Sequence, residues 1–170
     1  MEPERVGSEV QHKASGLTYQ PLSDGTVAII GYDNSSDTLA IPAELGGYPV
    51  SRIEGHAFHQ SPITSVEIPD SVQSLGVSAF SWCESLTELT LPDSVIYMDG
   101  NPVWSCENFS TFHVSERNPA FRVQDGVLLS KDGTRLISFP SMLDVETFHV
   151  PDGVTTIDHH VFSTLAHMTG

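Results

Sequence analysis

Eight histidines, two cysteines and 22 Asp or Glu are the residues of this 170-residue chain that could do chemistry. A zinc site needs three or four convergent ligands, and a catalytic site needs a nucleophile, base or metal held in one place. His56 and His59 stand three apart, and Asp158-His159-His160 is a compact group. The paired histidines would point apart in an extended chain, and no thiol lies near them in sequence, so a structural or surface role outweighs a metal site. Asp33-Asn34-Ser35-Ser36-Asp37 has the acid spacing of a calcium loop but lacks its glycine and closing glutamate, and a polar turn is the better reading. No Gly-x-Ser-x-Gly, P-loop or Gly-x-Gly-x-x-Gly occurs. Asn34-Ser35-Ser36 and Asn108-Phe109-Ser110 match the N-glycosylation pattern, the second weakly because Phe109 is expected to be buried. Cys83 and Cys106 stand 23 residues apart. Either they fill one slot as small buried apolar residues, or they form a bridge in an exported chain. No catalytic residue, metal ligand set or cofactor is expected.

Charge narrows the partners. Seven Lys and Arg against 22 acids give a net charge of −15. The basic residues never cluster, so nucleic acid and anionic membrane surfaces are poor partners. No apolar run approaches the ~18 residues of a membrane helix, and the first residues lack the basic-then-apolar order of a signal peptide. With 39% apolar and 17% charged residues the chain can bury a core.

The elements that would position any site are set by a repeat. Ile63-Thr64-Ser65-Val66-Glu67-Ile68 returns 23 residues later as Leu86-Thr87-Glu88-Leu89-Thr90-Leu91, and after another 23 as Phe109-Ser110-Thr111-Phe112-His113-Val114. Pro69-Asp70-Ser71-Val72 recurs as Pro92-Asp93-Ser94-Val95 and Pro151-Asp152-Gly153-Val154. Behind these lie Leu75 and Phe80, Met98 and Trp104, Ile157 and Phe162, with Val50, Ile53 and Phe58 at the same offsets. The third copy then carries one extra residue before Trp104. Five units can be traced, the first and last incomplete. A period in the twenties with an L-x-x-L-x-L core signals a leucine-rich-repeat solenoid, in which stacked rungs cover each other's apolar edges. Alternate strand residues such as Val66 and Ile68 then face inward and Glu67 outward. The stretch 78–83 reads as a short helical or 3₁₀ turn opposite the strand, with Phe80 as the wedge inside.

The string from Ile68-Pro69-Asp70-Ser71-Val72 through Leu75, Phe80 and Cys83 to Leu86-Thr87-Glu88-Leu89-Thr90-Leu91-Pro92 resembles the BspA-like leucine-rich repeats of bacterial surface proteins. The resemblance spans about 38–165. It implies a β-rich solenoid with a parallel strand ladder, and a secreted or cell-surface module. The family commonly carries an Asn-Pro…Asp-Gly-Val-Leu insertion, matched here from Asn118-Pro119 to Asp125-Gly126-Val127-Leu128.

The expected organisation is a disordered tail over 1–15, a β-hairpin cap over 16–37 turning at Asp24-Gly25, rungs over 38–118, a β-hairpin insertion over 119–140 turning near Lys131-Asp132-Gly133, and a final partial repeat over 141–170. The strand face is the surface with a functional shape. Its outward residues form columns: Thr64, Thr87, Ser110 and Glu146; Ser65, Glu88, Thr111 and Thr147; Glu67, Thr90, His113 and His149. The columns are a small-residue, mildly acidic ladder that suits extended protein contacts, or a solvated sheet face rich in threonine for its β-propensity. His113 and His149 stack on adjacent rungs if the insertion is looped out. The resemblance implies a non-catalytic module binding a protein partner, a host extracellular protein among them, in adhesion. A carbohydrate-binding module is the alternative, which a groove with exposed aromatics would favour.

Overall fold

Asp24-Gly25 separates two apolar runs, and the chain reverses there. The computed structural model describes residues 2–162. Strand β1 (Val10–His12) pairs antiparallel with β2 (Leu17–Pro21), which pairs antiparallel with β3 (Val27–Tyr32). The segment 1–15, expected to be disordered, thus carries a strand and also bonds the Val6 N–H to the Pro21 carbonyl at 2.9 Å. The inner face of the hairpin, Leu17, Tyr19, Val27 and Ile29, joins the core and closes one end of it.

Four rungs follow. Strand β4 (Thr38–Ala40) leads into a small hairpin, β5 (Glu44–Leu45) and β6 (Tyr48–Ile53), turning at Gly46-Gly47, both in the left-handed region that glycine tolerates. The later rungs carry β7 (Ser65–Glu67) with β8 (Ser74–Leu75), β9 (Glu88–Leu91) with β10 (Tyr97–Met98), and β11 (Thr111–Val114). Inward residues Val66, Leu89, Leu91 and Phe112 are buried, whereas Glu67, Glu88, Thr90 and His113 are exposed, as a period of two requires. In each repeated turn the proline carbonyl accepts from the valine three residues on, Pro69 from Val72, Pro92 from Val95 and Pro151 from Val154.

Two parallel ladders build the stack rather than one. On the first side β4 pairs with β7 and β9 with β11, and no backbone bond joins the two pairs. On the second side β3, β6, β8 and β10 pair in order. Gly76 sits where these rungs touch, for a Cβ there would lie 2.2 Å from the Gly55 nitrogen.

The expected helical turns are corrected. Among the described residues no helix is present. A helix needs consecutive right-handed residues, and the corner breaks that run repeatedly. His56, Ser78 and His160 occupy the left-handed region at one corner position, and Gln60, Trp82 and Ser105 at another. The corner instead bonds rung to rung, Phe58 N–H to the Ala79 carbonyl and Phe80 N–H to Pro102, both at 2.8 Å. This register also corrects the wedge of the third rung. Val103, 4% exposed, takes the slot held by Phe58 and Phe80, with no extra residue, and Trp104 turns toward the edge.

The expected insertion hairpin is a meander of three strands, β12 (Phe121–Gln124), β13 (Val127–Ser130) and β14 (Arg135–Ser138), turning at Asp125-Gly126 as well as at 131–134. Asp132 anchors the second turn by accepting from the Ser130 hydroxyl and from Thr134, which holds its carboxyl down at about 2. The meander is not looped out. Phe121, Leu128 and Ile137 complete the main core, while Val127, Leu129, Leu136 and Phe139 form a second core with Val161.

Beyond it, β14 pairs in parallel with β15 (Thr156–Ile157). The Arg135 guanidinium holds both oxygens of Asp158 at 2.8 and 2.7 Å and donates to the Met98 carbonyl at 2.9 Å. It therefore joins the third rung to the last. The Asp158 side chain is 9% exposed and that of Arg135 30%. Arg135→Ala strands the more buried charge and is expected to cost about 2–3 kcal/mol in urea denaturation, against about 1 kcal/mol for Asp158→Ala, whose guanidinium still reaches water. Equal costs would show that burial does not set the balance. Of the final repeat expected over 141–170, residues 163–170 lie outside the described residues.

Candidate functional site

The strand side presents the outward residues of the repeat, and its register defines their columns. Thr111 lies opposite Glu88 and His113 opposite Thr90, just as Ser65 follows Thr38 and Glu67 follows Ala40. The column at the strand start is tied into the fold. The Thr64 hydroxyl donates to the Asp37 carbonyl at 3.1 Å and the Ser110 hydroxyl to Thr87 at 2.8 Å. Thr87 in this column is exposed, and the next positions face solvent: Ser65, Glu67, Glu88, Thr90 and His113 are exposed and Thr111 half-buried. The His113 Nε2–H donates to a Glu88 carboxylate oxygen 3.1 Å away, linking two rungs across the face.

Thr147 and His149 are not brought to this ladder. Both are exposed, but 146–150 forms no strand and makes no backbone bond to β11. The physical reason is the meander, whose β12 and β13 pack beside β11 and whose inner face shares the main core. His113 and His149 therefore do not stack on adjacent rungs.

An open cleft of about 1010 Å³ crosses the face over β7, β9 and β11, where the two strand pairs part. Ser65, Glu67, Glu88, Thr90 and His113 line it, together with groups that reasoning from the repeat missed: Asp70, Asp93, Arg117 and Val123. Asp70 and Asp93 were signalled by their recurrence in the turn. Arg117 and Val123 lie outside the repeat and gave no such signal. Arg117 Nε approaches an Asp93 oxygen at 3.3 Å, so one cation edges an otherwise acidic floor. Apolar Val66, Leu91 and Phe112 also reach the cleft, which gives it a mixed character.

Among the described residues no group of three or more His, Cys, Asp or Glu is placed to hold a metal ion. Cys83 and Cys106 are fully buried free thiols, donating to the carbonyls of Phe58 and Phe80 in the preceding rungs at 3.1 and 2.9 Å. Their mutual contact draws the Cys83 thiol down against the opposing effect of burial, and together with burial it pushes the Cys106 thiol up. Among the described residues no helix is long and apolar enough to cross a membrane.

The comparisons with known proteins agree with the stack. A family model described as the BspA type leucine rich repeat region (6 copies) matches residues 51–124. A leucine-rich repeat protein of known structure from Bacteroides capillosus is 30% identical, with 64% of this chain and 99% of that one covered, at a TM-score of 0.52. The pneumococcal vaccine antigen PcpA is 18% identical, with 98% of this chain and 64% of that one covered, at a TM-score of 0.54, a likeness of fold. No curated protein matches. Repeat, register and the Bacteroides relative lead to one conclusion: the chain belongs to the BspA-type leucine-rich-repeat family.

Proposed function

We propose that the chain is a non-catalytic protein-binding module whose strand face, centred on the cleft over β7, β9 and β11, engages a protein partner in adhesion or at a cell surface. The rungs over 38–118 carry that face, and the units over 16–37 and 119–140 close the stack. The observation that carries the reading is the cleft itself, which spans three rungs and combines acidic Glu67 and Glu88, the Asp93–Arg117 pair and apolar Leu91 and Phe112. Repeat stacks use such side chains at fixed spacing for extended contacts. An acidic rim of this kind steers a partner with a basic patch and keeps anionic surfaces away. The surface setting rests on the family resemblance and on PcpA being a vaccine antigen.

Binding to immobilised extracellular-matrix proteins, read by biolayer interferometry at low and high salt, tests it. The wild-type chain is expected to bind at least one of them, more weakly as salt rises. Glu67→Arg with Glu88→Arg is expected to weaken that binding at least about tenfold, equivalent to 1.4 kcal/mol. Both side chains are exposed, so the double variant should fold. Unchanged affinity would place the contact elsewhere, and no binding by the wild type would sink the adhesion reading.

A further inference from the structure

The side of the stack away from the strand face carries the chain's only two tryptophans, Trp82 and Trp104, on adjacent rungs with ring centroids 6.1 Å apart. Trp104 is engaged, since its ring stacks on His160 at 4.5 Å. Trp82 is 40% exposed and forms a wall of a separate hollow of about 350 Å³, lined also by Gln60, Ser61, Pro62, Glu84 and Ser85. We propose that this hollow is a binding subsite for one pyranose ring of a neutral oligosaccharide, with the Trp82 indole as the stacking platform.

Three observations carry the inference. An indole with a free face offers a flat apolar surface to the C–H face of a sugar ring, and its neighbours offer what the ring's hydroxyls need. Gln60 supplies an amide, Glu84 a carboxylate and Ser61 and Ser85 hydroxyls. Ser61 is the sharpest of these: it is 2% exposed, and its Oγ is buried without a hydrogen-bond partner. A buried hydroxyl in that state is uncommon, and a small movement of the wall would offer it to a ligand hydroxyl in the hollow. The walls are also fixed before any ligand arrives. Gln60 N–H bonds the Ser81 carbonyl at 2.9 Å, Trp82 N–H bonds Trp104 at 3.0 Å, and the Asn108 side chain holds the Glu84 carbonyl at 2.8 Å.

Charge and size select the ligand. Glu84 within a chain of net charge −15 excludes an anionic sugar. A cation would suit Trp82 and Glu84, but one aromatic wall is not a cage. The hollow lies at the small end of ligand sites, which suits a single ring rather than a peptide.

Two tryptophans give two indole N–H signals in a proton–nitrogen correlation spectrum, assignable with Trp82→Phe and Trp104→Phe. The full chain is titrated with chitotetraose, cellotetraose and mannotetraose to about 10 mM, ten times a millimolar Kd, and separately with acetylcholine as a cationic probe. At least one oligosaccharide is expected to shift the Trp82 signal saturably and the Trp104 signal less. Trp82→Gly, which suits the left-handed backbone, is expected to weaken binding at least about tenfold while the remaining amide signals stay in place. Ser61→Ala should also weaken it. Silence of Trp82 with all three sugars, a response confined to acetylcholine or to Trp104, or undiminished binding by Trp82→Gly overturns the proposal.

Discussion

Replacing Asn118 by alanine is expected to lower the unfolding free energy by about 3–5 kcal/mol, the largest loss from any single polar side chain here. Asn118 is fully buried, and its amide is saturated. The Nδ2 donates to the carbonyls of Pro92 and Val95 at 3.1 and 3.2 Å, and the Oδ1 accepts from the N–H groups of Ala120 and Phe121 at 2.9 and 2.8 Å. One side chain thus ties the proline turn of the third rung to the start of the meander. Alanine would orphan the Val95 carbonyl and strip the Ala120 and Phe121 N–H groups of their Asn118 acceptor, while the Pro92 carbonyl keeps its bond from Val95. Each buried group left unpaired costs about 1–3 kcal/mol, with water entering the gap to offset part of the sum. Aspartate is the same size but keeps only the two accepting bonds and sets an anion against two carbonyls, so Asn118→Asp should not rescue. Ser110→Ala, which also loses a bond to the preceding rung but at an exposed position, should stay within about 0.5 kcal/mol of wild type. Urea denaturation followed by tryptophan fluorescence measures all three. A cost for Asn118→Ala below about 1 kcal/mol would mean that the meander docks without this tether.

The place of Asn118 illustrates what the sequence carried and what it did not. The rungs were legible because each must present apolar residues at the same offsets to cover its neighbour, so Val66, Leu89 and Phe112 are buried one above another. The corners were not. A left-handed residue is visible in a sequence when it is glycine or asparagine, and here the positions are held by His56, Gln60, Ser78 and Trp82. Alanine and aromatic content over 78–83 therefore read as a helical turn. At Asp125-Gly126 the signal was present, for Asp-Gly between alternating apolar residues is a strong hairpin cue, and both residues have positive φ. The two faces of the meander follow from that reversal, with Leu128 turned to one core and Val127 and Leu129 to the other. The strand-face columns were legible up to β11 and failed at Thr147 and His149, because a segment that looks like an insertion supplies core to both sides. Arg117 enters the cleft from the non-repeating stretch that leads to this meander, where periodicity has nothing to say.

Phe80→Ala should cost about 3–5 kcal/mol, and its comparison with Trp104→Ala tests the register of the stack. Counting aromatic residues places Trp104 in the inner column of the third rung, whereas counting positions from Met98 places Val103 there. The geometry follows the second count. Phe80 is fully buried and stacks on Phe58 with centroids 5.0 Å apart and planes 9° apart, and Tyr32 lies 5.6 Å beyond Phe58. Removing that ring leaves a cavity between two rungs that the bonds from Phe58 to Ala79 and from Phe80 to Pro102 hold at fixed spacing. The walls cannot collapse without breaking those bonds, which puts the site at the costly end for large-to-small changes. Trp104 is half-buried at the edge, against Trp82 and His160, and its loss should cost about 1 kcal/mol. The consequences should also spread differently. Each rung is covered only by its neighbours, so Phe80→Ala should speed hydrogen exchange at the amides of Phe58, Gln60 and Phe80 on both sides of the cavity. Trp104→Ala should leave those amides protected. If the tryptophan proved as costly as the phenylalanine, Trp104 would have to be the inner residue, and the assignment of Val103 to that column would be wrong.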